Sequence, residues 1–261
     1  MPPEIAEFAR LAPLGFAIGV YGTLVGAGGG SLRVPALLML LPDRSPAAIT
    51  AMSMAVVFFN AYSGTFSYIR MGRVDFRSGT LFTLASVPGA IVGTLLVHEV
   101  PREYFEPIFG SVMLALGTFL VISPLGATIT AAAQAARDSR PSARLGAIGS
   151  AYIAVFSSLL GLGGGIIHVP FLIRVLRFPP HTATATSHFV LTFMALTATV
   201  THFAMGEFDS AAASTMYLAV GVMMGAPVGA SLSTKLRGSV IVRMLALALC
   251  LVGLRLLARS L

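Results

Sequence analysis

The chain has 261 residues, of which 56% are hydrophobic and 10% charged, and its mean hydropathy is +0.87. Soluble domains carry about a quarter charged residues, so this composition excludes a soluble fold and leaves an integral membrane protein with little room for a soluble domain. The formal net charge of +7 does not imply nucleic acid, because most basic residues fall in short loops between apolar runs, where they set topology.

The N-terminus, MPPEIAEFAR, is acidic before its first apolar run. A signal peptide starts basic, so no cleavage is expected. A hydrocarbon core of about 30 Å needs about 20 helical residues. The run 11–41 is too long for one crossing and is cut by GAGGGSLRVP at 26–35. Runs 47–69, 78–97 and 105–122 each predict one transmembrane helix. Residues 123–145 form a linker, alanine-rich and then polar. The run 146–177 is again too long and is cut by GLGGGIIHVP at 161–170. Runs 182–205, 211–233 and 239–258 complete the chain. The one cysteine, Cys250, lies in the last run, so neither an intrachain disulfide nor a thiolate metal site is available.

The second half repeats the first. The two glycine motifs match at an offset of 135 residues, and the register continues through Ser53 and Ser187, Met71-Gly72-Asp75 and Met205-Gly206-Asp209, then Gly89, Gly93 and Leu96 with Gly225, Gly229 and Leu232. Matching loops carry opposite charge. RMGRVDFR (70–77) has three arginines, whereas AMGEFDSA (204–211) has two acids and no base. HEVPREYFEP (98–107) has three glutamates, whereas TKLRGSVIVR (234–243) has three basic residues and no acid. Lysine and arginine mark cytoplasmic loops, so equivalent loops lie on opposite faces. The expected fold is therefore an all-α polytopic membrane protein of two inverted-topology repeats, 1–122 and 146–261, each a glycine-broken helical hairpin (11–41 or 146–177) followed by three transmembrane helices. The linker is then cytoplasmic and both termini external.

The hairpins carry the functional expectation. After Gly165 about a dozen residues remain before Arg177, about 18 Å of helix, which places the glycines near mid-membrane. Irregular backbone at that depth is tolerated only inside protein or facing a wet cavity. The short helix that follows begins near Ser31 or Ile166, with Pro35 and Pro170 near its first turn, where a missing N–H costs little. Its first amides lack helical partners and carry partial positive charge. Two such starts from opposite faces, formed at Gly28, Gly29, Gly30 and Ser31 and at Gly163, Gly164 and Gly165, suit an anion. The competing reading is that the glycines only allow tight helix packing.

All ten acidic residues fall in predicted loops, the linker or the termini. The interior ionisable residues are Arg33, His168, His188 and His202, and Arg33 and His168 occupy equivalent positions three residues beyond the last glycine. Intramembrane ionisable groups mark functional sites by default, although Arg33 could instead snorkel outward near Asp43. The second helix of each repeat carries hydroxyls, of which Ser53, Thr184 and Ser187 lie near the hairpins, with Asn60 deeper; the rest suit interhelical or intrahelical bonding. A histidine-metal enzyme would need three or four nearby ligands, and the spacing of His168, His188 and His202 matches no metal motif.

GxGGGxxxVP occurs twice, each copy followed by a helix ending in (Y/H)xxxGxxD, here Tyr68-Gly72-Asp75 and His202-Gly206-Asp209. Over nearly the whole chain this resembles the TauE/SafE family, also called the sulfonate uptake permease family. Arg33 and His168 stand where that pattern is usually aliphatic. The resemblance implies a bacterial-type inner-membrane carrier of sulfite, sulfonates or related oxyanions, often by export. The expectation is thus a secondary transporter of a small sulfur-containing anion that rocks its repeats around the paired hairpins, and not an enzyme. An anion channel is the alternative. Expected partners are a small anionic substrate, the lipid bilayer and a coupling proton or ion. Nucleic acid and cofactors are not expected, and oligomerisation is open.

Overall fold

The computed structural model describes residues 3–25, 33–34, 37–38, 44–122, 142–208, 212–236 and 238–260. Among the described residues every regular element is helical. In chain order these are α1 (Pro3–Val25), α2 (Pro46–Arg70), α3 (Phe76–Val97), α4 (Arg102–Ile122), α5 (Ala143–Leu159), α6 (Gly165–Arg174), α7 (Pro180–Ala204), α8 (Ala212–Ser233) and α9 (Gly238–Ser260). Arg33, Val34, Leu37 and Leu38 are also helical. Gly28, Gly29, Gly30, Ser31, Pro35, Asp43, Asp209 and linker positions 123–141 lie outside the described residues.

Five helices, α2, α3, α4, α7 and α8, are long and apolar enough to cross a membrane. Observed ends fall within a few residues of the expected ones, except that α1 begins at Pro3 rather than at 11. Its first turns are too polar to register as part of an apolar run. The expected break in 146–177 is present between α5 and α6.

Local chemistry explains the ends. Ser45 caps α2 by accepting from the Ala48 amide, with Pro46 in the first turn, and Asp75 caps α3 by accepting from the Arg77 and Ser78 amides. α2 and α7 terminate in the same way. Gly72 and Gly206 adopt φ values of 66° and 81°, which lets the Arg73 amide reach the Tyr68 carbonyl and the Glu207 amide reach the His202 carbonyl, both at 3.2 Å. The (Y/H)xxxGxxD pattern is thus a helix stop, and in the first copy its aspartate starts the next helix.

The helix contacts come in matched pairs. α1 packs along α8 as α5 packs along α3; α2 touches α8 as α7 touches α3; α2 meets α7, and α4 meets α9. Exchanging the two halves leaves this set unchanged. The equivalent helices α2 and α7 run antiparallel, since Thr50 meets His202 while Thr65 meets Thr192. The α4–α9 pair is antiparallel as well: Gly110 faces Leu256 and Gly117 faces Cys250. Small residues set the closest approaches, as expected where apolar lipid removes the hydrophobic drive between helices. Side chains at Gly221, Gly225 and Gly229 would collide with the Ala12, Phe16 and Val20 carbonyls of α1, and side chains at Gly89 and Gly93 with the Ala151 and Val155 carbonyls of α5. α2 and α7 are the most enclosed spans, while Leu84, Ile122, Phe203 and Met224 project outward.

Gly221→Val forces α1 and α8 apart, and overpacking of this kind costs about 1–3 kcal/mol. It should lower the thermal unfolding midpoint of the detergent-purified protein by several degrees, whereas Leu232→Val on the outward face should not. Equal midpoints for the two variants would contradict the assigned helix contact.

Candidate functional site

The break between α5 and α6 is built by three glycines in the left-handed region, Gly161, Gly163 and Gly164, with φ of 66°, 76° and 81°. The Gly161 amide closes α5 on the Ser158 carbonyl and the Leu162 amide on the Ser157 carbonyl. α6 then opens at Gly165 with no side-chain cap, and the Ile167 and His168 amides both return to the Gly164 carbonyl. A Cβ at Gly163 would lie 2.5 Å from Val57 Cγ1, and one at Gly164 would lie 2.7 Å from Met194 Cε. Space and backbone angle therefore both require glycine. The first α6 amides, of Gly165 and Ile166, have no intrahelical acceptor. Pro170 lies in the second turn of this ten-residue helix, one turn deeper than expected, so the Ile166 carbonyl loses its usual donor.

The turn reaches across to the other half. Ser53 Oγ donates to the Gly161 carbonyl at 2.7 Å, and Gly161 sits against Thr50 and Val34. Val34 belongs to the segment that follows the first glycine triplet, so the α5–α6 turn touches a residue just beyond that triplet. The equivalent residues Arg33 and His168 engage the equivalent serines. Arg33 Nη1 donates to the Ser53 carbonyl at 2.8 Å. His168 Nδ1 lies 3.2 Å from Ser187 Oγ, and its Nε2 lies 3.0 Å from Ser150 Oγ. Both residues are buried, so Arg33 does not snorkel outward. Its guanidinium is cationic at neutral pH. Ser86, Ser150, Ser187, His168, Gly164, Gly165 and Met194 enclose a cavity of about 10 Å³, room for one water.

Several buried polar atoms here lack a hydrogen-bond partner: Ser157 Oγ, Ser158 Oγ and Asn60 Nδ2. Ser157 Oγ lies 3.4 Å from the position a Cβ would take on Gly164. Asn60 forms a second cluster with His188. Thr23 Oγ1 donates to Asn60 Oδ1 at 3.2 Å, Tyr68 Oη donates to the Thr23 carbonyl at 2.9 Å, and the His188 ring meets Tyr68 edge-on at 5.4 Å. Neither His188 nitrogen makes a well-formed hydrogen bond; the Thr184 carbonyl, one turn back, comes nearest to supplying one. Buried polar atoms without partners are costly in an apolar interior, which singles out both clusters as candidates.

The structure therefore links Arg33, Ser53, Gly163, Gly164, Gly165, His168 and Ser187 through the α5–α6 turn, and gathers Asn60 and His188 in a separate cluster around Thr23 and Tyr68. Thr184 stands apart, its hydroxyl donating to the Pro180 carbonyl of its own helix. Ser86, Ser150, Ser157, Ser158 and Thr23 were missed by sequence reasoning. The repeat register held a signal for two of them, since Thr23 and Ser158 are equivalent at the offset of the glycine motifs. Among the described residues no group of three or more histidine, cysteine or acidic side chains is arranged to hold a metal.

The profile of the family described as "Sulfite exporter TauE/SafE" matches residues 11–256. The chain belongs to the TauE/SafE family. The match begins within α1, ends within α9 and covers both glycine motifs. Similar TauE/SafE-like relatives include a "Probable membrane transporter protein YunE" of Bacillus subtilis, 28% identical over 96% of this chain and 97% of the relative. A "Probable membrane transporter protein" of Xylella fastidiosa is 27% identical over 87% of this chain and 83% of its own length. One from Methanocaldococcus jannaschii is 27% identical over 69% and 68%. No solved structure matches the chain significantly. The protein is a polytopic membrane protein of a transporter family.

Ser53→Ala removes the hydroxyl that satisfies the buried Gly161 carbonyl, a loss of about 1–3 kcal/mol. Hydrogen exchange of the amides at 160–168 should accelerate about tenfold or more, with α4 and α9 unchanged. Unaltered exchange at the turn would contradict the anchoring role of this bond.

Proposed function

We propose that the protein is a secondary transporter of a small sulfur oxyanion, sulfite or an organosulfonate, working by alternating access in a bacterial-type plasma membrane. The observation that carries this reading is the α5–α6 turn. The turn offers helix-start amides without helical acceptors and the unpartnered hydroxyls of Ser157 and Ser158, and it is joined through Ser53 to the Arg33 cation, since Ser53 donates to the Gly161 carbonyl and accepts from Arg33 at its own carbonyl. Amides, hydroxyls and a guanidinium are the donors an oxyanion needs. The sulfur-anion class and the outward direction are supported by the description of the family. No phosphate-binding loop with its following lysine accompanies either glycine run, which favours ion-gradient or exchange-driven movement over nucleotide hydrolysis.

The halves are inverted repeats in this reading, supported by the exchange-invariant helix contacts and the antiparallel α2–α7 and α4–α9 pairs. The moving units differ from the repeats themselves. Backbone-close contacts tie α1 to α8 and α3 to α5, so rocking one repeat against the other would tear apart the tightest interfaces. The seam that opens is α2 against α7, between mixed bundles α1–α2–α8 and α3–α5–α6–α7. The cavity of about 10 Å³ beside His168 has room for water but not for a sulfur oxyanion, so in this reading the seam opens further to admit one.

Proteoliposomes loaded with unlabelled sulfite should take up radiolabelled sulfite by counterflow, and methanesulfonate should compete. The double variant Ser157→Ala with Ser158→Ala should raise the half-saturating concentration about tenfold or more, as loss of hydrogen bonds to a charged ligand does. Flux no greater than in protein-free vesicles for either anion would sink the reading. In a Cys250→Ser background, Met71→Cys and Met205→Cys should react with an impermeant maleimide from opposite sides of oriented cells; reaction from one side would remove the inversion.

A further inference from the structure

One end of the α2–α7 seam carries a chain of groups that the anion site does not use. His98, just beyond α3, places Nδ1 3.3 Å from Glu207 Oε1 in the turn after α7. The His98 ring lies 5.7 Å, centroid to centroid, from the ring of His202, one turn before the end of α7. His202 is fully buried, and its Nε2 lies 3.4 Å from Thr50 Oγ1 of α2. Thr50 packs directly on Gly161, the first glycine of the hairpin turn. Nε2 of His98 and Nδ1 of His202 are both buried without a hydrogen-bond partner. Two imidazoles thus approach one another, each with an unused nitrogen, and one of them is held by a carboxylate.

We propose that Glu207, His98 and His202 form a binding site for one proton at this mouth, and that its occupancy controls the mouth during transport. The inference rests on the transporter reading above. With both imidazoles neutral the triad carries one negative charge, that of Glu207. One proton taken from the aqueous side makes an imidazolium, cancels that charge, and lets one imidazole donate to the other while His98 stays paired with Glu207. An empty site thus repels an arriving anion and a filled one admits it. Histidine is the side chain whose ordinary titration falls in this range. Other charged residues at this end are Arg44, Glu99, Arg102, Glu103 and Glu106. Of these, Arg102 pairs with Glu106 at 2.9 Å and also donates to the carbonyls of Arg44 and Leu38. α2 faces His202 with Thr50 and brings no charge there.

The opposite mouth has the same construction with different chemistry. In the repeat register His98 corresponds to Thr234, Glu207 to Arg73 and His202 to Tyr68. There Tyr68 Oη bonds to the Thr23 carbonyl and lies 3.4 Å from Ser233 Oγ, and Thr234 Oγ1 donates to the Ser231 carbonyl. A phenol, a hydroxyl and an arginine keep their protons through the neutral range, so the proton site belongs to one mouth. The loop charges assign that mouth to the outside.

The full-length protein in lipid nanodiscs, ¹⁵N-labelled at its five histidines, should be titrated from pH 8.5 to pH 5 by nuclear magnetic resonance. The result expected is one protonation event shared by two imidazoles, abolished as a shared event by His98→Gln or by His202→Gln. Glu207→Gln, at a half-exposed position, should weaken proton affinity about tenfold. A His98 titration unchanged by His202→Gln, or no shared event in the parent protein, overturns the site. In vesicles kept between pH 6.5 and 8, Glu207→Gln should lower pH-gradient-driven sulfite accumulation about tenfold more than it lowers sulfite counterflow at equal pH. Equal losses in the two modes overturn the coupling role. Absence of sulfite flux in both modes of the parent protein defeats the transport reading instead, and the titration still decides the proton site.

Discussion

A helix cannot be interrupted inside an apolar medium without exposing amides and carbonyls that water would otherwise satisfy. Everything around the α5–α6 turn follows from that constraint. Glycine alone adopts the left-handed angles at 161, 163 and 164 and leaves room for Val57 and Met194. Ser53, from the opposite half, supplies the donor that the Gly161 carbonyl lacks. The amides opening α6 are left without such a partner, and the Ser157 and Ser158 hydroxyls beside them are unpartnered too. Each buried polar group left without a partner here costs stability until water or another polar group reaches it.

The two halves solve the same folding problem with different side chains. Their helices pack in exchange-related pairs, and Arg33 and His168 reach equivalent serines. At this common position one half carries a permanent cation and the other a titratable ring. The ends of α2 and α7 differ in the same sense, with Tyr68 and Arg73 at one and His202 and Glu207 at the other. Exchange-related packing thus carries different side-chain chemistry at its two ends.

The tightest contacts do not respect the repeat boundary. The stretch Gly221, Gly225 and Gly229 brings α8 backbone-close to α1 of the other half, and Gly89 and Gly93 do the same for α3 and α5. Close backbone approach of this kind is one of the main sources of association between membrane helices, so these are the tightest interfaces among the described helices. The α2–α7 crossing is of another kind. It is lined with hydroxyls, histidines and unpartnered polar atoms, groups whose contacts are held by hydrogen bonds rather than by close backbone approach.

Membrane class, the helix positions among the described residues, the break between α5 and α6 and the shared serine contacts of Arg33 and His168 were legible in the amino-acid order, because hydropathy runs, glycine triplets and an internal repeat are properties of the chain itself. The start of α1 was not, since its first turns are too polar to belong to an apolar run. Nor were the exchange of helices between halves, the placement of Thr184 on its own helix rather than in the site, or the recruitment of Ser150, Ser157 and Ser158. Those depend on which helix faces meet, and a face is chosen by packing against residues distant in the chain, through backbone approaches that small side chains permit in many combinations. The sequence by itself determined that the second long apolar run must break at its glycines; only the tertiary structure decided which hydroxyls and rings surround that break.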